Sequence, residues 1–66
     1  MKKWFLTNSN QIIDLNLCKE FWVEEIPEMN KVFCKCDDDI EWTIAIFPEE
    51  QQAVEYLNDI YSKLTN

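Results

Sequence analysis

Residues 31–64 read KVFCKCDDDIEWTIAIFPEEQQAVEYLNDIYSKL, and a change of period inside this stretch decides the fold. From Lys31 to Cys36, and again from Ile40 to Phe47, apolar residues recur at alternate positions, the spacing of a half-buried strand. Asp37, Asp38 and Asp39 between them form a tight turn, since aspartate bonds to its own backbone and accepts turn geometry. After Phe47 the spacing changes. Ala53, Leu57, Ile60 and Leu64 recur every three or four residues, with Val54 and Tyr61 flanking the stripe, as on the buried face of a helix. Pro48 suits a first helical turn, Glu49 and Glu50 suit the positive end of the helix dipole, and Lys63 suits the negative end. A strand hairpin leading straight into an amphipathic helix is satisfied when the helix covers one face of the sheet.

Towards the N-terminus, residues 11–26 alternate and place Ile13, Leu15, Leu17, Phe21 and Val23 on one face. Lys19 interrupts that face, and the run far exceeds an ordinary strand of about 5–6 residues. A bend or bulge near residues 18–20 is therefore expected. Pro27 to Asn30 forms a turn, and Trp4 to Thr7 a short strand ended by Asn8-Ser9-Asn10. The expected fold is α+β: a small antiparallel β-meander of about four strands, at 4–7, 11–26, 31–36 and 40–47. One C-terminal α-helix over 48–64 packs on one face. Residues 1–66 make a single domain, because a chain this short cannot fill a second core.

Register follows from charge and pattern. Pairing Cys36 with Ile40 sets Cys34 opposite Trp42, Val32 opposite Ile44 and Lys35 opposite Glu41, the last a favourable cross-strand pair. Pairing Ile26 with Lys31 sets Val23 opposite Cys34 and Phe21 opposite Cys36. Ile40, Trp42, Ile44 and Ile46 then face the helix. Trp22, Phe33, Thr43, Ala45 and Phe47 lie on the other face, among Lys31, Lys35, Glu24 and Glu41. Large apolar side chains on an uncovered sheet face mark an interface. Trp22, Phe33, Thr43, Ala45, Phe47 and Lys35 are accordingly the expected protein-binding residues. The competing arrangement folds the N-terminal strand, or residues 11–17, over that face.

The absent residue types narrow the chemistry. The sequence contains no His, no Arg and no Gly. Without Gly there is no phosphate-cradling loop, without His no near-neutral imidazole acid or base, and without Arg no planar fork for phosphate or carboxylate. No catalytic residues and no cofactor are expected. Thirteen acidic residues against six lysines give a net charge of −7, which repels nucleic-acid phosphates and anionic membranes. Two acidic groups stand out: Asp37, Asp38 and Asp39 in one turn, and Glu24, Glu25, Glu28, Glu49 and Glu50, expected together at the opposite end of the sheet. They keep the chain soluble, or they attract a basic protein by imitating nucleic acid.

Cys18, Cys34 and Cys36 are an odd set without disulfide-framework spacing, which fits a reducing, cytoplasmic setting. The apolar run that begins at Trp4 stops at Thr7, too short for a signal peptide. Cys34 and Cys36, with Cys18 as third ligand and an aspartate of 37–39 as fourth, raise a metal reading. Structural zinc sites favour four Cys or His ligands, usually in C-x2-4-C pairs. One-residue spacing without a second pair favours thiols packed as small apolar side chains, so no metal ligands are expected.

Ile12-Ile13-Asp14-Leu15-Asn16-Leu17, then Phe21-Trp22-Val23-Glu24, then Ile44 through Leu57 resemble small uncharacterised bacterial and phage proteins of similar length. These have an "INLD"-like strand, a short meander and a closing "EEAxxYL"-like helix. The resemblance implies the same strand-meander-plus-helix fold and carries no catalytic residues. The expected function is a non-enzymatic protein-binding module that associates with a protein partner or as a homodimer through the helix-free sheet face. An acidic, phage-encoded inhibitor occupying a basic nucleic-acid site of a host protein is the alternative. A small metal-binding protein is the weaker one.

Overall fold

Alternation and helical periodicity become, in chain order, strands β1 (Trp4–Leu6) and β2 (Ile12–Asp14), a 3-10 turn (Leu15–Leu17), strands β3 (Cys18–Ile26), β4 (Met29–Cys36) and β5 (Glu41–Phe47), and helix α1 (Glu50–Thr65). The computed structural model describes residues 3–65; Met1, Lys2 and Asn66, the outermost residues of the expected domain, lie outside the described residues. The fold is α+β. Its strands divide into an antiparallel sheet in the order β3-β4-β5 and a separate two-stranded β1–β2 hairpin.

The division arises at Asp14. Its Oδ1 accepts from the backbone N–H groups of Lys3 and Asn16, both at 3.1 Å. The chain turns there and drives Leu15 into the core. The long alternating run therefore breaks at residues 15–17, ahead of the expected bend, and a bulge follows at Lys19 between the Cys18–Cys36 and Glu20–Lys35 pairs.

The β3–β4 register is tighter than the pattern suggested. Ile26 pairs with Met29, Val23 with Val32 and Phe21 with Cys34. Pro27 and Glu28 alone make the turn, because Glu28 adopts a positive φ of 73°, the conformation a turn of this kind ordinarily reserves for Gly. The slip is an even number of residues, so the facing of every side chain survives it.

The β4–β5 hairpin starts in the expected register, with Lys35 opposite Glu41, Cys34 opposite Trp42 and Phe33 opposite Thr43. It then shifts by one, so that Val32 faces Ala45, Lys31 faces Ile46 and Asn30 faces Phe47. Ile44 is the extra residue of a β-bulge, and a shift of one exchanges the two faces. This overturns the placement of Ala45 and Phe47 on the helix-free face: Ala45 is buried in the core and Phe47 packs against it. Ile46, expected to face the helix, is exposed instead.

Leu15, Val32, Cys34, Ile44, Ala45, Ala53 and Ile60 form the buried core, with Phe21, Val23, Tyr56, Leu57 and Leu64 packed around it. Pro48 precedes the helix rather than entering its first turn. Asn30 donates from Nδ2 to the Pro48 carbonyl at 3.5 Å, tying β4 to the helix start. The β1–β2 hairpin packs on the helix side. Phe5 meets Tyr56 edge-on at 5.4 Å, and the Asn8 N–H donates to the Tyr56 hydroxyl oxygen at 2.8 Å. Lys3 Nζ donates to the carbonyls of Lys63 and Leu64 at 2.8 and 3.0 Å, placing a cation at the negative end of the helix dipole.

Ile60 sits at the centre of the helix–sheet contact and is almost wholly buried. Ile60→Ala should cost about 2–5 kcal/mol, whereas the exposed Tyr61→Ala should stay within about 0.5 kcal/mol of wild type. Denaturant unfolding of both variants checks the assignment, and equal effects would contradict it.

Candidate functional site

The two bulges reposition the cysteines. Core-facing residues of β3 are Phe21 and Val23, so unbroken alternation would turn Lys19 inward. The bulge at Lys19 gives that inward place to Cys18, sets it directly opposite Cys36, and releases Lys19 to the surface. There Lys19 Nζ lies 2.6 Å from Asp39 Oδ1. The Asp39 carboxylate raises the Lys19 pKa, and the Lys19 ammonium lowers that of Asp39. Cys34, two residues from Cys36 on the same strand, faces the same way. Cys18 Sγ and Cys36 Sγ are 3.8 Å apart, and the three sulfurs all lie within 4.8 Å of one another. The sequence reading brought the three thiols into one candidate set; the structure brings them to one point. Among the described residues no carboxylate joins them, so the Asp37–Asp39 turn supplies no fourth ligand.

The thiols sit in the wall of an open apolar cleft of about 840 Å³ between the β1–β2 hairpin and the β4–β5 end of the sheet. Four large apolar side chains line it while remaining mostly exposed: Trp4 at 58 %, Ile12 at 69 %, Leu17 at 61 % and Trp42 at 53 %. Trp42 has the helix-side facing that alternation predicts for it, opposite Cys34. Helix and hairpin leave it uncovered, and it forms cleft wall instead of core. Cys18 also borders a smaller cleft of about 370 Å³ against the C-terminal half of α1.

The residues expected to form an interface are only partly together. Trp22 and Phe33 are cross-strand partners on the helix-free face, and their rings stack at 5.5 Å with planes 17° apart. Each is half-buried. Thr43 stands opposite Phe33, and Lys35 stands between Glu20 and Glu41. Ala45 and Phe47, as described above, point into the core. The exposed apolar group at the cleft was missed because its members come from four separate segments, and two of them, Leu17 and Trp42, fall on apolar faces in the alternation.

The acidic residues occupy both ends of the sheet. Asn30 pairs with Glu25 on one side and Phe47 on the other, which brings the strand ends bearing Glu24, Glu25 and Glu28 near Glu49 and Glu50. Asp37, Asp38 and Asp39 lie at the far end of β4. The length of β4 separates them by roughly 20 Å, twice the screening length of about 8–10 Å in physiological salt. They act as two small patches.

No protein-family model matches this sequence, and no curated protein or solved structure shows significant similarity to it. Among the described residues no helix is long and apolar enough to cross a membrane.

Burial, then the neighbouring Cys34 thiol, pushes the Cys18 thiol well above its ordinary pKa of 9.0. Burial likewise raises Cys34. Folding thus favours the protonated thiols. Their contribution is complete below the ordinary pKa and is lost as pH climbs past it. Denaturant midpoints should therefore fall above about pH 9 more steeply for the native chain than for Cys18→Ser. Parallel curves for the two would remove Cys18 as the cause.

Proposed function

We propose that this chain is a non-enzymatic module that binds an apolar segment of another protein in the cleft beside Trp42. The observation carrying this reading is the convergence of Trp4, Ile12, Leu17 and Trp42, each more than half exposed, on one concave surface. Interface centres are enriched in tryptophan and other large apolar groups, and concave sites let such groups bury most area. Two exposed tryptophans are a standing cost to a domain this small unless a partner covers them.

Charge suggests the flanks of that partner. Asp14 lines the cleft, and the Asp37–Glu41 loop leads directly into Trp42. The nearby Lys19 is engaged by Asp39. A segment with lysine or arginine beside its apolar residues fits this rim, and its association rate should fall with salt. The placing of the two named acidic groups at opposite ends of the sheet, roughly 20 Å apart along β4, supports the protein-binding reading over the acidic-inhibitor one. Burial that disfavours the thiolate at Cys18 and Cys34, together with the lack of any histidine, supports a non-enzymatic role.

The Trp22–Phe33 face remains a second surface for the same role, favoured by its stacked, half-exposed rings. The test compares capture of partners by wild type, Trp42→Glu and Trp22→Glu, each checked for native circular dichroism. Partner capture should disappear in Trp42→Glu and persist in Trp22→Glu, with light scattering showing a monomeric wild type. Loss in Trp22→Glu alone would move the interface to the helix-free face. A wild-type dimer dissociated by Trp42→Glu would make the partner a second copy of this chain.

A further inference from the structure

The protein-binding proposal leaves the cysteine triad unused, and its geometry points to a soft-metal site: we infer that Cys18, Cys34 and Cys36 bind one copper(I) ion through three sulfurs, each thiol releasing its proton to solvent as its bond to the metal forms. An ion about 2.3 Å from each sulfur holds thiolate ligands roughly 3.8–4.0 Å apart. Cys18 and Cys36 already stand 3.8 Å apart, and all three sulfurs lie within 4.8 Å. Closing the triad onto an ion therefore needs only side-chain adjustments.

A disulfide is the competing use of these groups. It would draw one pair to about 2.05 Å and leave the third thiol without a role. The metal uses all three sulfurs close to their present separations.

The bulge is the second observation. The bulge moves the Lys19 charge from a core-facing position to the surface and, in the same step, turns Cys18 inward opposite Cys36. Bulges re-aim side chains beside functional sites. This one brings a third sulfur to the two that alternation on β4 had already placed on one face.

Ligand number selects the ion. Structural zinc takes four protein ligands, and zinc held by three keeps a fourth position for water. Among the described residues no carboxylate completes the cluster, so the chain offers three ligands, all of them sulfur. Copper(I) prefers soft sulfur donors, accepts three of them, and tolerates an apolar surrounding. The ion would also join β3 to β4 at the open end of their hairpin, where the Cys18–Cys36 pair is the last rung.

The reduced full chain is titrated anaerobically with copper(I) against a colorimetric copper(I) chelator, and separately with zinc(II). One copper(I) ion per chain is expected, with near-ultraviolet thiolate-to-copper absorption and protection of all three thiols from an alkylating reagent. Cys18→Ser and Cys36→Ser, both at half-buried positions, should each weaken binding beyond the roughly 10–100-fold typical of losing an outer hydrogen-bond partner of a ligand. Native circular dichroism of the ion-free variants controls for folding. Protection of fewer than three thiols in the unmodified chain overturns the site, and that measurement depends on no variant. Binding no tighter than that of a chain with all three cysteines replaced by serine overturns it as well. Tighter retention of zinc(II) than of copper(I) overturns the choice of ion. Loss of partner capture in Trp42→Glu with copper binding intact would separate this site from the protein-binding role.

Discussion

The extra residue in β5 governs the interior. A strand of strict alternation would send Trp42, Ile44 and Ile46 to the helix and leave Ala45 and Phe47 outside. One helix cannot accommodate a tryptophan and two isoleucines in a row while also receiving Phe21 and Val23 from β3. By bulging at Ile44, β5 presents Ile44, the small Ala45 and then Phe47 to the helix. Ala45 and Ala53 are both almost fully buried in this core, with Ile60 beside them and Leu57 and Leu64 packed against it. Trp42 lies before the bulge, keeps its helix-side facing opposite Cys34, and is left exposed at the cleft.

How much of this could be read from the chain follows from which interactions are local. Helix α1 was legible because its stripe, acidic start and basic end all lie within one segment. The Asp37–Asp39 turn and the pairing of Lys35 with Glu41 were legible for the same reason. The bulge in β3 falls within residues 18–20, where an irregularity is expected from the sequence, whereas the one in β5 was not foreseen. Lys19 at a core-facing position signalled an irregularity, but Ile44 gave no such sign, because an apolar residue satisfies either face equally well. The error at Ile44 then propagated to Ala45, Ile46 and Phe47, since alternation carries a misplacement to the end of the strand.

The candidate sites were harder still. The cleft is built from Trp4, Ile12, Leu17 and Trp42, which no spacing rule relates, and Asp14, whose Oδ1 accepts from two backbone N–H groups where β2 ends, also lines it. The thiols were each visible, and their common facing on β4 was visible too. Their convergence required knowing that β3 gains a residue at Lys19. A metal or ligand cluster spread over two strands is thus concealed by the same irregularity that creates it.

The chain makes its turns without glycine. Asn10, Glu28 and Asp39 hold φ values of 64°, 73° and 65°, and a glutamate in this region is uncommon because its Cβ crowds the backbone. The usual view counts this as strain in the native state. It has another side in the denatured ensemble. Glycine widens the range of conformations open to an unfolded chain more than any other residue, and this chain has none to widen it. Each left-handed turn therefore carries a modest local penalty, while every segment between the turns has fewer disordered states to abandon. For a domain with so small a core, restricting the unfolded state is a source of stability that no contact in the folded structure displays.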